Sequence, residues 1–464
     1  MMDVKDKKVL VVGLGVSGFA AAGLLARKGA RVSVTENDDG EGIRQRLEKL
    51  SSYNIRVELG GHTEDFCADA ELVVTSPGID PKALPLRLAE EKGVQVIGEL
   101  ELGYRFCKGP VIAVTGTNGK STTTELIGRI MSFSGRHTVV CGNIGNPLSG
   151  EVDKIGEDSV AVVEVSSFQI ETIEKFKPRL AVLLNVSEDH YDRHEDMESY
   201  KAWKFRIFSN QGEDDWAVIH ADLGNDPLLG VVRGRLHLFG AEKSAAFVRD
   251  GNVIIRTGRR SEVVMRAEEI PIGGEHNLEN VACAALVSRI MGAGAPHIRK
   301  AVMTFKGLGH RFEKVACLEG VDFIDDSKAT NIDATRRALE SMDRRAVLIA
   351  GGRDKGGDYL TILPQVKEKV KAMVLIGEAR EKIRNVFKSA VPVFEASTMT
   401  EAVKRAASMA DQGEAVLLSP MCSSFDMYEN YKERGKDFQK EVWEIFTEDR
   451  RQKTTNNSQL TTHN

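Results

Sequence analysis

The sequence predicts an α/β protein organised as three successive domains, and three observations lead there. The chain has 464 residues, and at roughly 100–200 residues per domain that length accommodates about three. Short apolar runs of strand length alternate with helical stretches through most of the chain, which is the signature of parallel βαβ units. Two glycine-rich turns each follow such a run, one near the start and one just past residue 110. Composition is that of a globular protein, with 42% hydrophobic and 28% charged residues. A net charge of −5 provides no overall field for nucleic acid or an anionic membrane. The cysteines Cys67, Cys107, Cys141, Cys283, Cys317 and Cys422 include no CxxC pair, which argues against a zinc ribbon or redox motif and suits a reducing cytoplasm. The uncharged run Val9–Ala26 follows "KDKK" as in a signal peptide, but glycines interrupt it and it is short for a membrane span, so a cytoplasmic protein without membrane insertion is expected.

The first domain is expected over residues 1–100. Its strands are "KVLVVG", "RVSVTE", "ELVVTSPGI" and "VQVIGE", with a helix over Ser17–Lys28 and a turn at Ser76-Pro77-Gly78. Gly13, Gly15 and Gly18 form G-x-G-x-x-G between strand and helix, a Rossmann-like turn whose glycines let a pyrophosphate approach the helix N-terminus. Glu36 ends the next strand, where a carboxylate accepts a ribose hydroxyl. The motif alone does not distinguish NAD, FAD or a UDP-sugar.

The second domain is expected over 101–305 as a P-loop-type ATPase. The strand "VIAV" runs into TGTNGKST, where Gly116, Thr117, Asn118 and Gly119 expose backbone N–H groups to phosphate, Lys120 meets the β and γ phosphates, the Ser121 hydroxyl holds a cation, and Thr122 completes the ATP-binding loop. Val114 stands where the standard pattern has its first glycine, so this is a shorter variant. Strands "SVAVVEV" and "RLAVLLN" follow, and Glu164 ends the first of them, presenting an acid at the phosphate mouth. "NVSEDHYDRH" gathers Glu188, Asp189, His190, Asp192 and His194, which resembles a metal shell and equally suits a solvated loop. Alternating runs after Asn210 predict an antiparallel portion, and "NLENVACAALVSRIMGAG" predicts a helix with a glycine stop.

The third domain is expected over 306–450, Rossmann-like, with strands "VDFIDDS", "RAVLIAGG", "AMVLIGE" and "EAVLLSP". Residues 451–464 lack a hydrophobic face and read as a disordered tail.

Taken in order, TGTNGKST, "EVSSFQ", "NVSEDHYDRH", "YKAWKFRIF", "GEHNLEN", "GLGHRFE", "DDSKATN" and "SPMCSSFDMYENYKERGKDF" resemble the ATP-dependent Mur ligases from Gly13 to about Phe438. The "EVSSFQ" and "SPMCSSFDMYENYKERGKDF" stretches are most similar to the branch that adds D-glutamate. The resemblance implies ATP, two Mg²⁺ sites, UDP-N-acetylmuramoyl-L-alanine and D-glutamate as ligands, and a monomer. It implies a carbamylated Lys204 which, with Ser121, Glu164 and His190, holds metal. A free lysine titrates near about 10.4, so exposing its neutral amine to CO₂ near neutral pH costs about 4 kcal/mol, which carbamate formation and metal binding must offset. It further implies that Val16, Ser17, Gly18, Glu36, Asn37, Ser76, Gly78 and Asn143 meet the UDP-substrate. Asn277 and Asn280 would lie near adenine, with Arg311 and Asp326 near phosphates and ribose. Lys328, Thr330, Lys355, Ser424 and Tyr431 would form the D-glutamate pocket, Lys328 also serving catalysis. Arg353 stands beside Lys355 where an acid is expected.

The chemistry so implied is the activation of a carboxylate as an acyl phosphate, followed by attack of an amine. The first turn would then grip the UDP handle and the second the ATP. Ligands carried on separate domains require closure, with Gly307 and Gly309 placed for a hinge. A nicotinamide-dependent oxidoreductase leaves TGTNGKST and Lys204 unexplained. A non-catalytic nucleotide switch and another amino-acid-adding ligase of the same superfamily are the remaining alternatives.

Overall fold

A computed structural model describes residues 2–187, 196–258 and 260–460, with backbone alone at 257 and 448–460. Three sheets carry the fold. The first contains β1 (Lys8–Val12), β2 (Arg31–Glu36), β3 (Arg56–Leu59), β4 (Leu72–Thr75) and β5 (Val96–Gly98), all parallel, in the order β3-β2-β1-β4-β5. Valines and leucines at β1 and β4 are buried on both faces, which is why these strands read as continuous apolar runs rather than alternating ones.

The second sheet contains β6 (Val111–Thr115), β7 (Thr138–Gly142), β8 (Val160–Glu164), β9 (Leu180–Leu183), β10 (Trp216–His220), β11 (Arg235–Gly240), β12 (Ala246–Arg249), β13 (Asn252–Thr257) and β14 (Arg260–Arg266). Its order is β14-β13-β12-β11-β10-β9-β6-β8-β7. Parallel pairing holds from β7 across to β12, and the β12–β13 and β13–β14 pairs are antiparallel, as the alternation in "NVIIRT" and "EVVMRA" predicts. The third sheet contains β15 (Glu313–Leu318), β16 (Val321–Asp325), β17 (Ala346–Gly351), β18 (Val370–Ile376), β19 (Val393–Glu395) and β20 (Ala415–Leu418), ordered β15-β16-β20-β17-β18-β19 with only the β15–β16 pair antiparallel.

The chain forms two compact units, one holding the first and second sheets and the other the third. The expected division at residue 100 falls inside the helix Glu99–Phe106, whose apolar residues join one core that runs from β1 to β9. Polar anchoring reinforces this helix. The Glu101 side chain is fully buried and accepts hydrogen bonds from the backbone N–H groups of Glu174, Lys175 and Phe176, and from Arg105 Nε at 2.7 Å. One carboxylate thereby ties the helix after β5 to the segment leading into β9.

In the second unit the helix Tyr431–Leu460 extends beyond residue 451, where composition predicts a disordered tail. Its first turns bury Phe438 and Val442 against the third sheet, and once a helix is nucleated each further residue adds a hydrogen bond at little cost.

Replacement of Glu101 by alanine is expected to destabilise the first unit by about 3–5 kcal/mol, because three amides and a largely buried guanidinium lose their acceptor together. Urea unfolding of the variant measures this, and a loss below 1 kcal/mol would show that the carboxylate contributes no anchoring.

Candidate functional site

The loop after β6 is built by close approach. Gly119 adopts φ +83°, and a Cβ there would collide with the Asn280 amide oxygen, which in turn accepts from Thr123 Oγ1 at 3.3 Å. Asn280 also donates to Asn277 Oδ1 at 3.3 Å, so both asparagines of "GEHNLEN" stand at the N-terminus of the helix Lys120–Phe133. On the other side, Asn185 grips the loop with backbone and side chain together. Its carbonyl accepts from Thr117 N at 3.0 Å, its Oδ1 accepts from Asn118 N at 2.8 Å, and its Nδ2 donates to Asn118 O at 3.1 Å. Sequence reasoning quoted Asn185 within "NVSEDHYDRH" and gave it no role. Its place immediately beyond β9, which pairs with β6, was the available signal.

Lys120 Nζ donates to the carbonyls of Gly116 and Thr117 at 2.8 and 2.7 Å. Lys204 Nζ donates to the same Gly116 oxygen at 3.0 Å and lies 4.4 Å from the centroid of the Tyr200 ring. From its position on the helix Met197–Phe205 alone, Lys204 reads as a surface residue, yet it is 1% exposed. The helix turns Tyr200 and Lys204, four residues apart, to the protein interior, while Lys201 faces Asp226 and Glu198 outside. Ser121 and Thr122 are buried at the first turn of the helix Lys120–Phe133.

Glu164 closes β8 and is 1% exposed, with Oε1 accepting from Asn143 Nδ2 at 2.6 Å. The next residues explain "EVSSFQ" locally: Ser166 and Gln169 form a capping box that starts the helix Ser167–Ile170 and fixes the chain leaving Glu164. The Glu125 carboxyl, on the helix Lys120–Phe133, is pushed above the usual carboxylate range by burial and, beyond that, by the Glu164 charge. Glu164 thus acts on the helix that carries Ser121 in its first turn, and a carboxylate with a serine hydroxyl is the hard-oxygen chemistry that suits a divalent cation. His190, its acidic neighbours Glu188, Asp189 and Asp192, and His194 lie outside the described residues.

The first glycine turn is equally crowded. A Cβ on Gly18 would collide with the Gly13 carbonyl, so the helix Val16–Arg27 can lie this close to β1 only with glycine at that position. Glu36 accepts from Leu14 N at 2.5 Å and Asp38 N at 3.1 Å, placing its carboxylate beside the turn and Asn37. Ser76 Oγ donates to Gly13 O at 3.2 Å, Gly78 takes φ +88°, and Val16 is exposed at the mouth.

In the second unit, Asp325 and Asp326 leave β16 in opposite roles. Asp325 Oδ2 meets His310 Nδ1 at 2.7 Å and Gln439 Nε2 at 2.8 Å. Asp326 accepts from Ser419 Oγ at 2.9 Å and Phe312 N at 3.2 Å, and burial raises its carboxyl to about 7 against the opposing pull of those bonds and of Arg311. Arg434, which sequence reasoning passed over inside "YKERGKDF", is 1% exposed and donates to Ser327 O, Cys422 O and Ser423 O and, through Nε, to Ser327 Oγ.

Of the five expected amino-acid-binding residues, one lines a pocket of the second unit. Lys355 lines a pocket of about 220 Å³ with Asn331, Asp333, Arg336, Asp354 and Met421. Lys328 instead lies over the Tyr431 ring at 4.0 Å, Ser424 is buried with its carbonyl accepting from Tyr428 N, and the Thr330 N–H bonds to Lys328 O. Arg353 is exposed and paired with Glu378.

Comparison with known proteins follows the same three parts. Residues 7–98 match the MurD-like N-terminal domain of Mur ligases, 114–288 the Mur ligase middle domain, and 310–422 the Mur ligase glutamate ligase domain. A UDP-N-acetylmuramoylalanine--D-glutamate ligase of Desulfosudis oleivorans is 45% identical over 441 residues, covering 94% of this chain and 96% of its own. The crystal structure of UDP-N-acetylmuramate-alanine ligase MurC from Thermotoga maritima aligns with a TM-score of 0.62 at 17% identity, covering 94% of this chain and 99% of that one. MurF ligase from Thermotoga maritima in complex with ADP aligns with a TM-score of 0.58 at 15% identity, covering 96% and 100%. These two likenesses bear on the fold.

The raised Asp326 carboxyl makes a pH prediction. Between its ordinary value and about 7 the folded form binds more protons than the unfolded one, so stability is fullest at low pH and falls as pH rises through that window. Asp326→Asn removes the titration. Urea unfolding between pH 5 and 7.5 should show a decline in the native chain that is absent in the variant, and parallel pH profiles would overturn the assignment.

Proposed function

The chain belongs to the Mur ligase family, and from that premise we propose that it joins D-glutamate to UDP-N-acetylmuramoyl-L-alanine, converting ATP to ADP and phosphate in peptidoglycan precursor synthesis. The observation that carries this reading is the meeting of Lys120 and Lys204 at one carbonyl oxygen of the glycine loop. Two ammonium groups sharing a single acceptor in a buried place repel each other, and nothing in a structural role calls for both. A ligase that must neutralise phosphate and bind metal has a use for each.

In this reading the amides of Gly116–Gly119 and Lys120 hold the ATP phosphates, Ser121 and Glu164 hold one Mg²⁺, and Lys204 as a carbamate holds a second with His190. The metal supplies neutralisation of the charge that gathers on the transferring phosphoryl group. Asn277 and Asn280 lie by adenine, with Arg311 and Asp326 at the phosphates and ribose. The turn at Gly13–Gly18, with Val16, Ser17, Glu36, Asn37, Ser76 and Gly78, grips the UDP end, and Asn143 meets the muramoyl end. Lys328, Thr330, Lys355, Ser424 and Tyr431 receive D-glutamate, a dianionic amino acid that requires cations and N–H donors for its carboxylates. The enzyme acts as a cytoplasmic monomer; among the described residues no helix is long and apolar enough to cross a membrane.

The alanyl carboxylate attacks the γ-phosphorus in line, the bond to the β-phosphate oxygen breaks, and ADP leaves with an acyl phosphate formed. The free amine of D-glutamate then attacks the acyl carbon, the tetrahedral adduct collapses, and phosphate departs with the electron pair of the broken C–O bond. The amine proton passes to a base.

ADP release, measured with the muramoyl nucleotide against D-glutamate, L-glutamate, L-lysine and diaminopimelate, should require the acceptor and respond to D-glutamate alone. Turnover with another amino acid in preference would replace this reading by another ligase of the superfamily. Lys120→Ala should lower kcat by roughly 100-fold or more. Lys204→Arg, which keeps a cation but forms no carbamate, should be as inactive as Lys204→Ala and should lose the carbamate signal seen by NMR after purification in isotopically labelled bicarbonate. Normal turnover by either Lys204 variant would end the carbamate assignment.

A further inference from the structure

The first unit carries a second strongly cationic concavity that the ligase reaction does not use. It is a cleft of about 650 Å³ lined by Arg105, Lys108, Lys175, Lys177, Arg179 and Asp215, with Met2 and Tyr104 at its wall. Val111 and the segment before Leu180 place it at the amino ends of β6 and β9, whereas the glycine loop leaves β6 at its carboxyl end. Four residues of strand at about 3.3 Å each put roughly 13 Å of sheet between the two places.

Charge in the cleft is unbalanced in a chain whose total is −5. Arg105 is answered by Glu101 and Glu174, and Lys177 and Arg179 share Asp215 at 3.3 and 3.4 Å. Among the described residues, Lys108 and Lys175 have no carboxylate within ion-pair distance, and both are exposed. Five cations against three carboxylates leave a surplus of two.

One member is built rather than merely superficial. The Arg105 side chain is 9% exposed and is locked by Glu101 through Nε and by Glu174 through Nη2. Among the described residues its Nη1 reaches only the Met2 sulfur, at 3.9 Å, and Met2 and Arg105 both line the cleft. A sulfur is a weak acceptor, so this fork presents an N–H that an anionic oxygen would satisfy far better. An oriented guanidinium, flanking lysines that act as point charges, a surplus of two and a volume within the range of small-ligand pockets match one class of ligand.

We propose that this cleft is a binding site for a small phosphorylated anion carrying at least two negative charges, distinct from the ATP loop. Its two sides come from the helix Glu99–Phe106 with the residues after it and from the segment 175–179, so the ligand bridges the same two parts of the chain that Glu101 ties together.

The test is calorimetric titration of inorganic pyrophosphate into the full chain carrying Lys120→Ala, which weakens competition from the glycine loop. One pyrophosphate should bind per chain, and adding Lys108→Glu with Lys175→Glu should weaken it at least tenfold. The milder pair Lys108→Ala and Lys175→Ala should shift it in the same direction. Raising salt should weaken binding as expected for a charge-driven contact. In the otherwise native chain, neither lysine pair should change ligase turnover. Absence of binding at millimolar pyrophosphate, binding that ignores the lysine substitutions, or succinate binding as tightly as pyrophosphate would each overturn the proposal.

Discussion

The space around the loop that follows β6 is the constraint on which the first unit depends. Asn280 fills the place a side chain on residue 119 would need, and Asn185 holds Thr117 and Asn118 through three hydrogen bonds. Two lysines, Lys204 buried and Lys120 partly so, then converge on the Gly116 oxygen. Each contact demands a backbone with nothing attached or a side chain of fixed length. The loop therefore has its shape before any phosphate arrives, with the N–H groups of Thr117 and Asn118 held by Asn185.

Parallel strand order sets where such loops can lie. β6 sits between β9 and β8, so the carboxyl ends of three strands deliver Thr115 and the glycine loop, Asn185 and Glu164 to one rim. The first sheet repeats this logic with β1 between β2 and β4, which brings Glu36 and Ser76 to either side of Gly13. Open parallel sheets place ligands at the carboxyl ends of their strands, and both turns obey that rule. The basic cleft at the opposite rim of the second sheet departs from it, which is why its charge calls for a separate explanation.

Much of this was legible where backbone chemistry leaves marks in sequence. Glycine spacing located both turns, and the apolar run ending in Glu164 placed that acid at a strand terminus. Alternation located the antiparallel edge of the second sheet. Three kinds of feature were hidden. The strands β3 and β19 lie at sheet edges, are short and partly exposed, and so lack the apolar run that betrays a central strand. The burial of Lys204, named only through the resemblance, was hidden because the sequence "YKAWKF" places lysines on two helix faces, and only tertiary packing decides that Lys201 meets Asp226 while Lys204 is buried. Asn185 and Arg434 act on backbone carbonyls and amides distant in sequence, and such partners have no sequence pattern at all. The expected amino-acid-binding residues came from a resemblance in motif order, and such motifs do not tell which of them line the pocket that holds Lys355 and which, like Lys328 and Tyr431, pack on one another.

Arg434 shows why a protein keeps a charge that burial opposes. Its guanidinium is pulled down to about 10 by desolvation, and replacing buried ionic groups with apolar ones is often neutral or stabilising in general. What an apolar residue cannot do is hold three chain segments at once. Arg434 donates to Ser327 beyond β16 and to Cys422 and Ser423 beyond β20, with Gly351 at the end of β17 at the limit of reach. The carbonyls of Ser327, Cys422 and Ser423 belong to the loops that carry Lys328 and Ser424, and Arg353 lies two residues past Gly351. Each loop has surplus acceptors because it leaves a parallel sheet without a neighbouring strand to supply donors. A planar five-donor fork satisfies several of them in one plane, where a lysine would offer a single point. The buried charge thus sets the spacing of the loops that carry Lys328 and Ser424, and the desolvation it suffers is offset by hydrogen bonds to the Ser327 and Cys422 carbonyls and to a Ser423 carbonyl that also accepts from Arg353 N.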